Sequence, residues 1–176
     1  MKKKYIAIIP ARGGSKGLPK KNIKKFLGKP LIEHSINYAK ESNYIEEIIL
    51  TTDDQEIKKV GESNNITVVD RPKDISGDEA TTESAIEHVT SLFRFPIDTT
   101  IILLQPTSPL RPENSLDKMI KIFNEKLYDS MLTLSPIHPL TWKSNNNKIE
   151  SMYDHLNRPR RQDFNEEDLI YDENGS

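Results

Sequence analysis

The sequence predicts an α/β fold, a three-layer α/β/α sandwich whose mostly parallel (mixed) sheet lies between two layers of helices. Two observations carry this prediction. Short runs rich in β-branched apolar residues alternate with longer stretches whose apolar residues recur at helical spacing. The short runs are apolar throughout, which is typical of strands buried on both faces of a parallel sheet. Parallel strands need crossover connections, and the helical stretches between the runs would supply them.

The predicted elements follow one another along residues 1–135. The predicted strands are Tyr5–Pro10, Glu47–Thr52, Ile66–Val69, Thr100–Leu104 and Ser130–Leu134. The predicted helices are Pro30–Glu41, Gln55–Asn64, Glu79–Phe93 and Glu113–Leu127. The third of these helices illustrates the spacing, because its apolar positions 85, 86, 89, 92 and 93 fall on one face.

The alternation stops after Ser135. Residues 136–168 are polar and irregular, and they include the basic run Arg158–Arg161. They are either a loose tail or an excursion that packs against a partner subunit. Aromatic residues favour the excursion, since disordered segments are poor in them. The aromatic residues are Trp142, Tyr153 and Phe164. We therefore expect a homodimer in which this small irregular excursion makes the contact.

The chain ends on a turn signal. Asn174-Gly175 is typical of hairpin turns, and a hairpin needs a second strand after its turn. The sequence stops at Ser176. We therefore expect the chain to be C-terminally truncated.

Composition restricts the classes of function. The chain has 176 residues, of which 35% are hydrophobic and 30% charged, and this suits one soluble domain with a small appendage. It has no cysteine, which excludes disulfides, thiolate nucleophiles and cysteine-based zinc sites. A net charge of −2 gives no general attraction to nucleic acid. The apolar runs are too short to span a bilayer and no signal peptide is recognisable, so we expect a cytoplasmic protein without a membrane partner.

A glycine loop, the name used here for residues 11–22, follows the first predicted strand. Its sequence is Ala11-Arg12-Gly13-Gly14-Ser15-Lys16-Gly17-Leu18-Pro19-Lys20-Lys21-Asn22. Ligands of open α/β sheets bind at the carboxyl ends of strands, where this loop is expected. Its glycines let main-chain N–H groups approach phosphate oxygens, although a structural turn explains them equally well. Arg12, Lys16 and Lys21 supply the positive charge that a polyphosphate needs.

The rest of this basic region is interpreted differently. Lys24, Lys25 and Lys29 are expected to be solvated lysines without a ligand. The glycine spacing matches neither the Walker A loop nor the dinucleotide-binding fingerprint. A nucleotide site of another type is therefore expected.

Two further segments are expected at the same edge of the sheet. Gln105 opens a proline-rich loop after the strand Thr100–Leu104, and its amide offers both donors and an acceptor. Residues 78–82 follow Arg71-Pro72 along the chain. In this segment Asp78 or Thr81 either caps the next helix or stands beside a main chain that reads a pyrimidine edge, and spacing alone favours the cap.

Taken together, these segments resemble the CMP-sialate synthetase group of cytidylyltransferases. The matching residues are Ile9–Asn22, Thr51-Thr52-Asp53, Arg71-Pro72, Leu103–Arg111, Arg161-Gln162, Tyr171 and Asn174-Gly175. The resemblance implies a Rossmann-like fold of the nucleotide-diphospho-sugar transferase type. It also implies transfer of CMP from CTP to the anomeric hydroxyl of a nonulosonic acid, with release of pyrophosphate. N-acylneuraminate, legionaminate and pseudaminate all remain open as the acid.

The resemblance implies a role for individual residues. Those that would hold the triphosphate are Arg12, Ser15, Lys16 and Lys21, with Lys21 and Arg12 as the catalytic groups. Those that would surround the cytidine are Asn22, Arg71, Ala80 and Thr82, with Arg71 and Ala80 acting through main-chain groups. Those that would meet the sugar acid are Gln105 and Arg161.

The family pattern also includes Mg²⁺, bound by an Asp-x-Asp pair that does not occur in this sequence. We therefore expect Mg²⁺ for the intact enzyme and assign no metal ligand here. The expected organisation is a nucleotide-binding domain at 1–135, a dimerisation and sugar-side excursion at 136–168, and a return to the core at 169–176. Two alternatives stay open: a nucleotidyltransferase for another sugar, and a non-catalytic nucleotide-binding or dimerising fragment.

Overall fold

The computed structural model describes residues 4–138, 140–165, 167 and 169–173. These residues form two units, residues 4–131 and residues 132–173. The strands of the first unit are β1 (Tyr5–Pro10), β2 (Lys25–Phe26), β3 (Lys29–Pro30), β4 (Ile45–Thr52), β5 (Thr67–Asp70) and β6 (Thr100–Leu103). Its α-helices are α1 (Leu31–Lys40), α2 (Gln55–Ser63), α3 (Thr82–Phe93) and α4 (Ser115–Lys126).

A four-stranded sheet with the order β5-β4-β1-β6 forms the centre of the first unit. All three strand pairs are parallel. In the register of the sheet, Ile8 of β1 lies between Ile49 of β4 and Leu103 of β6. The predicted mostly parallel sheet is thus confirmed, and β1 has the predicted bounds.

Helices cover both faces of this sheet, because β1 directs alternate side chains to opposite sides. Ala7 and Ile9 pack in a cluster with Ile32 and Ile36 of α1 and with residues of α2. Ile6 and Ile8 pack on the other side, in a cluster that contains Val89 of α3. The α4 residues Leu116 and Ile120 pack beside Tyr5, and partly buried Tyr38 of α1 joins both this cluster and the first. The predicted three-layer architecture is confirmed.

Two helix starts position the loops of the site. Asp54 caps α2, since its Oδ1 accepts hydrogen bonds from the N–H groups of Glu56 (2.8 Å) and Ile57 (3.0 Å). Thr81 caps α3 by accepting from the N–H of Ser84 at 3.1 Å. Helix α3 therefore starts at Thr82 and not at Glu79 as predicted. The cap interpretation of Thr81 is confirmed.

The second unit contains four short strands: β7 (Leu134–Ile137), β8 (Trp142–Asn145), β9 (Lys148–Ser151) and β10 (Ile170–Glu173). β7 pairs with β10 and β8 pairs with β9, both antiparallel. The predicted strand Ser130–Leu134 is wrong. Strand structure starts only at Leu134, because strand propensity depends on having a sheet to pack into.

The expectation of an irregular segment at 136–168 is also wrong in part. β8 and β9 form a hairpin whose turn is Asn146-Asn147, with φ of 46° and 62°. Asparagine tolerates positive φ, and the two-residue hairpin turn needs it at both positions. The turn expected at Asn174-Gly175 lies outside the described residues. In the described part of the chain, no helix is long and apolar enough to cross a membrane.

Candidate nucleotide site

A cleft of about 500 Å³ lies at the carboxyl ends of the central strands, within the first unit. It is lined by the glycine loop after β1, by residues after β5, by the start of α3 and by the loop after β6. The site residues named from the sequence that the structure brings together here are Arg12, Ser15, Lys16, Lys21, Asn22, Arg71, Ala80, Thr82 and Gln105. Their individual roles stay predictions.

The glycine loop is held at its start by one side chain from outside the loop, Asp53, and by Asn22 at the loop's own end. The Gly13 N–H donates to Asp53 Oδ1 at 2.9 Å, and the Asn22 side-chain amide donates to the Arg12 carbonyl at 3.0 Å. The Ser15 N–H donates to the Gly13 carbonyl at 3.0 Å. The N–H of Gly13, expected to approach a phosphate, thus donates within the protein.

Arg12 and Lys16 share one carboxylate. The Asp78 carboxylate accepts hydrogen bonds from Lys16 Nζ at 2.7 Å and from Arg12 Nη1 at 3.2 Å. Arg12 Nη1 also donates to the Gly77 carbonyl at 2.7 Å. The hydrogen bond from Lys16 lowers the pKa of Asp78, and the charges of Lys16 and Arg12 lower it further. Sequence reasoning considered Asp78 as a helix cap or as a neighbour of a base-reading main chain, so this contact between two loops was missed. A triphosphate at these cations would compete with Asp78 for them.

The lysines of the glycine loop and its continuation fall into two groups. Lys21 is partly buried at the start of a short 3₁₀ helix, Lys21–Ile23, and lines the cleft. Lys20 is exposed and pairs with Glu56 of α2, and this pairing raises the pKa of Lys20. Residues 24, 25 and 29 are exposed lysines, as expected for solvated side chains.

Arg71 is buried where β5 ends, next to the end of β4. Its Nη2 donates to the carbonyl of Thr51 at 2.8 Å, and its own N–H donates to the carbonyl of Thr52 at 2.8 Å. Burial lowers the pKa of Arg71, and the charge of Asp53 acts in the opposite direction. The Ala80 N–H likewise donates to the Gly77 carbonyl at 3.2 Å. Main-chain recognition of a base by Arg71 and Ala80 would therefore fall to their carbonyl oxygens.

Gln105 lines the cleft, and hydrogen bonds to its main-chain carbonyl hold its backbone in place. The Gln105 carbonyl accepts from Arg111 Nη2 at 2.9 Å and from the Ser108 N–H at 3.2 Å. Arg111 also donates to Ser35 Oγ at 3.2 Å, and its guanidinium lies 5.1 Å from the ring centre of Tyr38. Burial lowers the pKa of Arg111. Arg111 belongs to the quoted motif, but sequence reasoning gave it no role.

Arg161 belongs to the second unit, where it is exposed in the 3₁₀ helix Arg161–Asp163. The neighbouring Arg160, which competes for the same match in the sequence, binds Asp163 at 2.7 Å through Nη2 and at 3.0 Å through Nε. Arg160 is thus committed to a local ion pair. The role of Arg161 toward a sugar acid stays a prediction.

The acidic residues near the cleft were the remaining candidates for binding a metal ion. Within residues 4–138, 140–165, 167 and 169–173, no group of three or more His, Asp or Glu side chains could hold a metal ion. Near the cleft, Asp54 caps α2 and Asp78 binds two cations. These residues do not fit a Mg²⁺ site, so no catalytic step is derived through the metal. The expectation of Mg²⁺ for the intact enzyme stays a prediction.

A parallel sheet with a cationic cleft at its carboxyl edge is typical of nucleotide-binding proteins of the α/β class. The family model described as "Cytidylyltransferase" matches residues 6–174. The chain belongs to the cytidylyltransferase family, which confirms the resemblance stated from the sequence.

Proteins with similar sequences carry the names of cytidylyltransferases and of a CMP-sugar synthase. Identity is 33% to the pseudaminic acid cytidylyltransferase of Campylobacter jejuni, over 92% of this chain and 72% of that protein. It is 38% to the CMP-N,N'-diacetyllegionaminic acid synthase of Legionella pneumophila, over 76% of this chain and 59% of that protein. It is 37% to an N-acylneuraminate cytidylyltransferase of Escherichia coli, over 70% of this chain. The match spans only 29% of the Escherichia coli protein.

Solved structures show the same fold. A CMP:2-keto-3-deoxy-manno-octonic acid synthetase complexed with CTP superposes with a TM-score of 0.61 at 20% identity, covering 91% of this chain and 68% of that one. A 4-diphosphocytidyl-2C-methyl-D-erythritol synthase superposes with a TM-score of 0.68 at 15% identity, covering 89% of this chain and 71% of that one. At these identities the likeness supports the Rossmann-like fold alone.

Proposed function

We propose that this chain carries the nucleotide site of a cytidylyltransferase that transfers CMP from CTP to the anomeric hydroxyl of a nonulosonic acid. The observation that carries the proposal is one cleft, in a chain of this family, lined by nine of the residues that the family resemblance assigns to triphosphate, cytidine and sugar. The three sequence relatives named above, whose names give three different nonulosonic acids, support this substrate class. The particular acid is left open.

In the proposed reaction, the anomeric oxygen attacks the α-phosphorus of CTP. A new oxygen–phosphorus bond forms, the bond from the α-phosphorus to the bridging oxygen breaks, and pyrophosphate leaves with that oxygen. The hydroxyl proton passes to solvent or to a base that we do not assign. Catalysis of this kind depends on positioning and on neutralising charge, which is consistent with a cleft rich in Arg and Lys.

The cleft residues divide this work by position. Arg12, Lys16 and Ser15 stand at the open glycine loop and would receive the phosphates once Asp78 is displaced from the two cations. Lys21 enters from the 3₁₀ helix and would stabilise negative charge that develops at the reacting phosphate. Gln105, whose main chain Arg111 fixes, would meet the sugar acid. The residues for cytidine would be Asn22, Arg71, Ala80 and Thr82.

The second unit would serve a homodimer and supply Arg161 to the sugar acid. Support comes from its apolar side chains, several of which are exposed, including Trp142 and Ile149. We also propose a cytoplasmic location and no nucleic-acid partner, in keeping with the net charge of −2.

The experiment compares two lysines of the same chain. CTP affinity is measured by calorimetry, and pyrophosphate release is followed with each of the three nonulosonic acids. Lys21→Ala is expected to lower kcat by about 10²- to 10³-fold with little change in CTP affinity, as for loss of a contact that strengthens in the transition state. Lys25→Ala, which removes an exposed lysine, is the matched control and should leave both quantities unchanged. Equal behaviour of the two variants would refute the role of Lys21, and absence of CTP binding by the wild type would refute the function.

A further inference from the structure

Asp53 makes a contact that none of the assigned roles uses. It follows β4 directly and is exposed, and its Oδ1 accepts the Gly13 N–H at 2.9 Å. The two residues are 40 positions apart in the chain, so the bond joins the end of β4 to the glycine loop after β1. Asp54 also lies close to Gly13: a Cβ built on Gly13 would stand 2.7 Å from its Oδ2. Gly13 is thus seated closely against the turn that leads into α2.

The bond from Asp53 is one of two that hold the same peptide group. The peptide between Arg12 and Gly13 has its carbonyl on Arg12 and its N–H on Gly13. Asn22 donates to that carbonyl at 3.0 Å, while Asp53 accepts from that N–H. Because the two bonds lie at opposite ends of one planar group, rotating this peptide would break both. The Arg12 side chain and the residues of the cleft that follow therefore start from a fixed main chain.

A carboxylate beside a phosphate site carries an electrostatic cost, which nearby positive charge reduces. The negative charge of Asp53 acts on the buried Arg71 guanidinium and opposes the lowering of its pKa by burial. Asp53 thus acts on Gly13 through a hydrogen bond and on Arg71 through its charge, and Arg71 lines the cleft.

We propose that Asp53 is a positioning residue of the nucleotide site: together with Asn22 it locks the Arg12–Gly13 peptide, and it thereby holds Arg12 and the glycine loop ready for the triphosphate. The proposal rests on the function proposed above. It predicts that the acceptor oxygen of Asp53 matters for CTP binding, and that its negative charge matters less.

The test compares two substitutions at one position. Asp53→Ala removes the acceptor, and we expect CTP affinity measured by calorimetry to fall about tenfold, the effect of losing one hydrogen bond. Asp53→Asn keeps an amide oxygen for the Gly13 N–H, and we expect affinity within about threefold of the wild type. Asp98→Ala, at an exposed aspartate that precedes β6 at the opposite edge of the sheet, is the matched control and should bind CTP as the wild type does.

A second readout does not need the nucleotide. In protein labelled with ¹⁵N-glycine, hydrogen exchange at the Gly13 amide should accelerate in Asp53→Ala and stay slow in Asp53→Asn. Equal CTP affinity of the two variants, tighter binding by both, or unchanged Gly13 exchange in Asp53→Ala would each overturn the proposal. If the wild type fails to bind CTP, the proposed function fails, and the exchange measurement still decides whether Asp53 fixes the loop.

Discussion

Residues 4–131 and residues 132–173 bury their apolar side chains to very different extents. The first unit has three clusters of buried side chains around its sheet, and Ile6, Ile8 and Ile9 of β1 are fully buried. In the second unit, none of the described residues is buried, and Ile149 and Leu156 are 72% and 88% exposed. Two-stranded antiparallel pairs are marginally stable alone in water. The first unit can fold on its own core, whereas the second has an apolar surface that a partner could cover.

The largest expected effect tests the core of the first unit. Ile8→Ala should lower the free energy of unfolding by about 2–5 kcal/mol, because it leaves a cavity in the middle of the sheet. Ile149→Ala in the second unit should change it by about 0.5 kcal/mol or less. Urea unfolding followed by far-UV circular dichroism measures both. A comparable loss in the two variants would show that Ile149 is covered in solution and would erase the contrast between the units.

A smaller effect is expected on dimerisation, and it tests whether the two units differ in the use of their exposed apolar residues. If the apolar surface of the second unit mediates a homodimer, Leu156→Asp should weaken the dimer by burying a charge that has no partner. Sedimentation velocity over a range of concentrations measures the dimer. Ile97→Asp is the matched control, because Ile97 is an exposed isoleucine of the first unit. A wild-type monomer, or equal weakening by both substitutions, would contradict the homodimer.

The smallest effect compares one Arg–Asp pair from each unit. Asp78 pairs with Arg12 and Lys16 across two loops, while Asp163 pairs with Arg160 three residues away in the chain. Asp78→Asn should tighten CTP binding by about fivefold or less, since exposed ion pairs are weak. Asp163→Asn should leave CTP affinity unchanged. Calorimetry decides, and weaker binding by Asp78→Asn would mean that Asp78 assists the nucleotide instead of competing with it.

The pH dependence of the ion pairs of Asp78 follows from the direction in which the pKa of Asp78 is shifted. The pKa of Asp78 is lowered by Lys16 and then Arg12, so the ion pairs persist above the ordinary range of an aspartate and are lost as pH falls through the lowered value. The affinity gain of Asp78→Asn should therefore stay constant from about pH 5 to 8, where Asp78 is ionised throughout.

The strands of the sheet were predictable where an apolar run in the sequence corresponds to a strand that is buried in the core. β1 begins and ends as predicted, because a short uninterrupted apolar run is typical of a strand buried on both faces. The assembly of the cleft was also within reach, since loops that follow parallel strands meet at one edge of the sheet. Short strands without a core, such as β7, were misplaced, because a few strand-forming residues do not specify their partner.

The contacts that shape the cleft were not predictable. Gly13 meets Asp53 over 40 positions, and Arg12 meets Asp78 over 66. No local sequence pattern predicts which acidic residue contacts which loop. These contacts depend on how β1, β4 and the segment before α3 come together in space. The sequence did point to the two acids by their position. Asp53 lies within a motif segment that matches the family, and Asp78 lies two residues before Ala80, which is assigned to cytidine.

The close seating of Gly13 makes two positions of the sequence dependent on each other. A Cβ at residue 13 would lie 2.7 Å from Oδ2 and 2.8 Å from Cβ of Asp54, so any side chain there must displace the residue that caps α2. At Gly14 and Gly17 the same atom would meet nothing within 4 Å among the described residues. Changes at 13 and 54 are therefore non-additive, since each alters what the other position tolerates. Of these three glycines, Gly13 is thus the one whose identity is set by the start of a neighbouring helix.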